Sequence, residues 1–138
     1  MGGNVTRFIA AILAIITLAA GCSVQGPGYE QVSPSPQKGV VYLYRTPDLF
    51  GFTRGTVDCG DHSVALGSGG YSSMVLDRQA LTCSVVTNGN SSVEFLVQPG
   101  QVYYVRERSF WGFLGPRFYV EIPDTGDGPE QIRECKLS

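Results

Sequence analysis

Hydrophobic residues follow two rhythms along this chain. The first is one continuous apolar run, residues 8–20, which follows Arg7 and closes on Leu18-Ala19-Ala20-Gly21-Cys22. The second begins at residue 39: short β-branched and aromatic segments, several alternating with polar residues, cut by Gly, Pro, Asn and Asp. Period-two alternation sends successive side chains to opposite faces of a strand. Residues 40–45 (Val-Val-Tyr-Leu-Tyr-Arg) predict a strand that Pro47 stops. Residues 56–59, 63–66 and 71–76 follow, divided by Gly60-Asp61 and by Gly67-Ser68-Gly69-Gly70. Residues 81–87 place Leu81, Cys83 and Val85 on one face. Asn88-Gly89-Asn90 signals a hairpin, and residues 92–97 return with Val93, Phe95 and Val97 together. After Pro99-Gly100, residues 102–106 and 118–122 are the last clear strands, with 109–116 predicted as a loop. Residues 130–137 fit a strand or one helical turn. Seven or eight short strands so closely spaced predict an all-β domain, a small immunoglobulin-like β-sandwich in preference to a barrel. No internal repeat suggests a propeller or solenoid.

The 8–20 run is too short to span a bilayer, which takes about 20 apolar residues. Its length, the basic residue before it and the small residues after it fit a signal peptide. Cleavage before Cys22 would leave a lipid-modified cysteine as the first mature residue. An uncleaved anchor is one rival. N-myristoylation, whose pattern Met1-Gly2-Gly3-Asn4-Val5-Thr6 fits, is another, but it should lead into a soluble or polybasic segment. Lipoprotein signals usually place Leu three residues before the cysteine; here Ala19 stands there and Leu18 one step earlier. The predicted organisation is a signal at 1–21, a lipidated N-terminus and linker at 22–38, and the sandwich at 39–138. The linker, from residue 23, is rich in Gly, Pro, Ser and Gln and has no apolar periodicity, which predicts a flexible spacer.

Charge narrows the functional classes. Ten Lys and Arg stand against twelve Asp and Glu, with no basic run. Losing Arg7 with the signal makes the balance more acidic still. Nucleic-acid binding therefore has no electrostatic footprint. With Cys22 lipidated, Cys59, Cys83 and Cys135 remain, so an exported chain predicts one disulfide and one free thiol. Counting leaves the pairing open. None of these cysteines has the close spacing of a zinc or redox site. His62 is the only histidine, in a turn beside Asp61 and Ser63 and near Asp58. That group matches no known cation pattern, and a lone turn histidine predicts a solvated side chain. The Gly67–Gly70 glycines lead into Tyr71 and not into a helix start, so they suit a strand connection better than a phosphate cradle. No cofactor is predicted. Two aromatic segments are the one feature with interaction potential: Phe50-Gly51-Phe52, and Phe110-Trp111-Gly112-Phe113. Folded over one end of the sandwich they would bury each other, with Trp111 mostly covered. Exposed, they would mark a partner or membrane contact.

Gly39-Val40-Val41-Tyr42-Leu43-Tyr44-Arg45-Thr46-Pro47 resembles the opening of the domain-of-unknown-function 2846 family, whose members are often lipoproteins. Leu66-Gly67-Ser68-Gly69-Gly70-Tyr71 is similar to its turn-then-tyrosine signature. Residues 97–106 resemble its glycine-then-double-tyrosine strand. The likeness runs in order over residues 39–122. It implies a PEGA-like sandwich and no assigned activity. The chain departs from the family at Asp77-Arg78-Gln79-Ala80, where a Pro-Gly elbow is usual, at Cys59-Gly60, and at Cys83, an aliphatic position. The two cysteine departures together suggest an added disulfide. Cys59–Cys83 is the favoured pairing, both lying near strand ends that an immunoglobulin-like topology could bring close; pairing through Cys135 is the alternative. The expected protein is a non-enzymatic envelope lipoprotein facing the periplasm, bound to the bilayer through Cys22 and serving as a structural or protein-interaction module. Ser23 in place of aspartate favours the outer membrane if the host is Gram-negative. The alternative is a carbohydrate- or peptidoglycan-binding module using the aromatic segments.

Overall fold

The predicted strands form, and they assemble into two sheets. The computed structural model describes residues 24, 26–87 and 89–138. Its strands are β1 (Gly39–Tyr44), β2 (Gly55–Cys59), β3 (His62–Leu66), β4 (Gly70–Leu76), β5 (Gln79–Thr87), β6 (Gly89–Val97), β7 (Val102–Gly112), β8 (Gly115–Glu121) and β9 (Lys136–Leu137). A short helix α1 (Asp127–Gln131) and a 3-10 turn (Ile132–Glu134) lie before β9. One sheet runs β8-β7-β1-β4-β9 and the other β3-β2-β5-β6. The β1–β7 and β4–β9 pairs are parallel; the remaining pairs are antiparallel. The fold is an all-β sandwich. The 8–20 run, Cys22 and the turn residue Asn88 lie outside the described residues.

Strand parity builds the core. Val41 and Leu43 of β1 point between the sheets, where they meet Val57, Leu66, Leu81, Val85, Val97 and Val105. Val40, Tyr42 and Tyr44 point the other way and are buried too. That second burial explains the unbroken apolar stretch of β1, since a strand covered on both faces has no polar side to show.

Residues 26–38 supply much of the cover. Composition reads them as part of a spacer; the structure lays them across the outer face of the five-stranded sheet. Tyr29 packs edge-on against Tyr42 and Tyr71, each at 5.5 Å between ring centroids. The Val32 and Glu30 N–H groups donate to the Tyr42 and Tyr71 hydroxyls at 2.6 and 3.2 Å. Val32, Ile132 and Cys135 complete this second apolar layer. The C-terminus locks the strap, the Leu137 N–H donating to the Pro27 carbonyl at 2.8 Å. Two apolar side chains and a tyrosine-lined sheet face suffice to order a segment of spacer-like composition.

The register of β2 against β5 sets Cys59 opposite Cys83, and they form the disulfide, with Cα atoms 4.1 Å apart. It joins neighbouring strands of one sheet. Cys135 is a buried free thiol. Burial, helped by the Glu134 charge, pushes it up to about 12, and its Sγ donates to the Arg45 carbonyl at 3.4 Å. A thiol held protonated and out of solvent is a poor nucleophile. Alkylation of the native protein without reductant should leave Cys135 unlabelled, and label it once the chain is unfolded. Fast labelling in the native state would show that the C-terminal cover opens readily.

Candidate functional site

The odd-numbered residues of β7 show how the candidate site is built. Val105 lies in the inter-sheet core, followed on the same face by Glu107, Ser109 and Trp111. The face thus passes from apolar to acidic to hydroxyl to aromatic as it leaves the sandwich. On the neighbouring β1, the inward parity of Val41 and Leu43 continues to Arg45, which is fully buried.

A buried guanidinium needs a counter-charge and acceptors for its donors. Asp48, three residues on, supplies the charge. Its carboxylate receives Arg45 Nε at 2.7 Å and Nη2 at 2.9 Å, a bidentate pair. The Thr53 and Phe50 carbonyls accept at 2.9 and 3.1 Å, and the guanidinium lies 5.3 Å from the Phe118 ring centroid. Ser109 donates to Asp48 at 2.8 Å, and Ser68 accepts the Asp48 N–H at 2.7 Å. Burial pushes the Asp48 carboxyl up, but hydrogen bonds from Arg45 and Ser109, the Arg45 charge and the Phe50 N–H outweigh it and hold Asp48 below the usual carboxylate range. Arg45 therefore pins the loop of residues 46–54 to the end of both β1 and β7.

Glu107 sits beside this network. Neither of its carboxyl oxygens has a hydrogen-bond partner among the described residues. Burial pushes it up to about 7, with Arg45 pulling it down and Asp48 pushing it further up. Gly55 makes room for it, since a Cβ there would run into the Glu107 carboxyl.

The pinned loop brings the aromatic segments together. Phe50 stacks on Trp111 at 5.8 Å, and Phe52 lies 6.4 Å from it. The expected meeting at one end of the sandwich is present, but the expected burial is not: Trp111 is 57% exposed. The cause is strand length. Residues 109–116, predicted as a loop, are the tip of the β7–β8 hairpin, paired Phe110↔Arg117 and Trp111↔Pro116. β1 pairs with β7 only as far as Tyr44↔Arg106, so the hairpin projects beyond the sheet and its tip has little to pack on. Phe110, of opposite parity, turns to Tyr119 on the other face at 5.8 Å. Phe113 and Leu114 form the turn, 100% and 76% exposed, before Gly115 at φ 127°, a backbone geometry that favours glycine. Beside the loop a cleft of about 570 Å³ is lined by Val24, Leu49, Phe52, Asp48, Glu134 and Lys136, among others.

Of the other sequence candidates, His62 opens β3 at the far side of the two-residue turn from Cys59 and is exposed. Among the described residues no group of three His, Cys, Asp or Glu side chains could hold a metal ion. The Arg45–Asp48–Ser109 network and Glu107 were missed by sequence reasoning. The available signal was parity: Arg45 continues the inward-facing alternation of Val41 and Leu43, and Glu107 and Ser109 continue that of Val105. No family model matches the chain, and no curated protein matches it.

Proposed function

We propose that this protein is a membrane-anchored lipoprotein of the bacterial cell envelope whose sandwich is a non-enzymatic interaction module, with the aromatic end as its contact surface. The observation that carries the reading is the exposed Trp111 stacked on Phe50, on a loop fixed by the Arg45–Asp48 pair. A rigid aromatic platform suits recognition, because little side-chain freedom is lost on contact. Arg45, Asp48 and Ser109 beneath it are engaged with one another, as a scaffold requires. The likeness to the domain-of-unknown-function 2846 family, often lipoproteins and without assigned activity, agrees with this. So does the apolar run that precedes Cys22.

The test has two parts. Fatty-acid analogue labelling and mass spectrometry should place lipid on an N-terminal Cys22; membrane-bound protein that retains residues 1–21 without acyl chains would refute the anchor. Crosslinking from the protein's own envelope should then give contacts that Trp111→Ser and Phe52→Ser weaken together. Contacts unchanged by both substitutions would move the interaction surface elsewhere.

The glycan-binding reading has one supporting observation. The cleft beside Phe52 combines an aromatic wall with Asp48, Glu134 and Lys136, the mixture that sugar rings and their hydroxyls use. It predicts a change in Trp111 emission on titration with peptidoglycan fragments. The immediate neighbours of Trp111, Phe50 and Phe52, offer no side-chain hydrogen bonds, so we place this reading second.

A further inference from the structure

We infer that the aromatic end docks on the surface of the bilayer that holds the protein's own anchor, with the β7–β8 hairpin tip and the 46–54 loop entering the headgroup region. The inference rests on the lipid-anchor reading and names the partner of that same surface.

Apolar exposure is concentrated there. Of eleven exposed large hydrophobic residues among the described residues, six belong to the two segments: Leu49, Phe52, Phe110, Trp111, Phe113 and Leu114. Single exposed apolar residues elsewhere are ordinary, but a contiguous group at a protruding tip marks a contact. Its chemistry is that of a membrane interface, where Trp sits at headgroup level and Phe and Leu enter the acyl boundary. No acidic residue occurs in 109–118 or 49–57. Of the acidic residues around the loop, Asp48 is paired with Arg45, Glu107 is buried, and Glu134 lines the adjoining cleft together with Lys136. Arg54 is exposed within the loop, and the Arg117 side chain runs beside Gly112 at the hairpin. Neither forms an ion pair among the described residues, which leaves both for anionic headgroups.

The path of the N-terminal segment selects the bilayer over a protein or a second copy. Val24 lines the same cleft as Leu49 and Phe52. From there residues 26–38 run back over the outer sheet face to Gly39, where β1 starts toward Arg45 and the aromatic end. Cys22 is two residues before Val24, a reach of at most about 7 Å. A lipid on Cys22 would therefore enter the membrane beside the aromatic tip. The segment that composition reads as a spacer is strapped to the sheet and does not hold the domain away from the bilayer.

Trp111 is the only tryptophan, so the protein carries its own depth probe. The full-length protein, processed and acylated by its host, is reconstituted in phosphatidylethanolamine–phosphatidylglycerol vesicles. Brominated acyl chains should then remove most of the Trp111 emission, and aqueous iodide should have little effect. The double variant Phe113→Asp, Leu114→Asp changes two side chains that the fold does not bury. It should reverse both results while leaving the circular dichroism spectrum unchanged. Trp111 that stays open to iodide and insensitive to brominated lipid on an acylated protein overturns the docking and leaves the anchor standing. Iodide protection that appears only on adding envelope proteins assigns the surface to a protein partner and also overturns it. A Cys22 without lipid removes the anchor reading, and the docking inference with it.

Discussion

Replacing Arg45 with methionine is expected to lower the unfolding free energy by about 3–5 kcal/mol, the usual cost of removing one partner from a buried ion pair. The side chain is fully buried and its pairing with Asp48 is bidentate. Methionine would fill much of the volume, so the loss is electrostatic more than a cavity effect. It would leave Asp48 with only Ser109 and the Phe50 N–H as donors. It would also take the Arg45 donor from the Thr53 carbonyl and leave the Phe50 carbonyl held only by the Thr53 N–H and hydroxyl, a bond within the loop itself, so the 46–54 loop would loosen. Urea unfolding followed by far-ultraviolet circular dichroism measures the global loss. Trp111 emission, reporting on contact with Phe50, should change at lower urea than the circular dichroism signal. Asp48→Asn in the Arg45→Met background should cost less than it does alone, because groups in one network are not additive. A loss under about 1 kcal/mol would show that the pair behaves like an exposed surface bridge.

The role of Arg45 also marks where sequence reading stops. Alternation made β2 to β6 legible, because each needs only its own inward residues and a turn. Leu81, Cys83 and Val85 share a face in the sequence and in the core alike. The Cys59–Cys83 pairing was expected from two departures from the family pattern and from strand-end positions, and the register of β2 against β5 makes the two cysteines cross-strand neighbours. The hairpin tip was misread because its glycines suggested a loop. Gly112 and Gly115 pair with each other and flank the turn, and the aromatics between glycines are strand residues and tip residues in succession. The strap was illegible for a different reason. Tyr29 and Val32 look isolated in sequence, and the sheet face they cover is assembled from β1, β4 and β7, far apart in the chain. The same holds for Ser109 and Asp48, whose hydrogen bond spans 61 residues. Local pattern specifies elements; surfaces made by several strands appear only when the sheet order is known.

Glu107 is where that non-local assembly has its clearest consequence for solution behaviour. Its carboxyl is pushed up to about 7 from an ordinary value of 4.5, burial being the main cause. A folded state that holds a proton more tightly than the unfolded chain is favoured where that proton is bound. The contribution is therefore complete below pH 4.5 and is lost as pH rises through 7. The size is about 3 kcal/mol for a shift of this order. Asp48 acts in the opposite sense and in a different window: held below its ordinary value of 3.8, it costs stability only as pH falls through its lowered folded-state value. Between pH 4.5 and 8 the slope belongs chiefly to Glu107. Unfolding free energy measured by urea titration should fall by about 3 kcal/mol across that interval. Glu107→Gln keeps the shape of the side chain and removes the titration, so its profile should be nearly flat there. The slope, and not the absolute stability, is decisive, because a buried amide without partners carries its own cost. A wild-type profile already flat from pH 4.5 to 8 would mean that Glu107 is solvated or paired in the folded protein. A slope that persists in Glu107→Gln would assign it to another group. Because Glu107 lies beneath the loop that Arg45 holds, its ionisation in the folded state near pH 7 should be accompanied by increased iodide access to Trp111, an increase that Glu107→Gln abolishes.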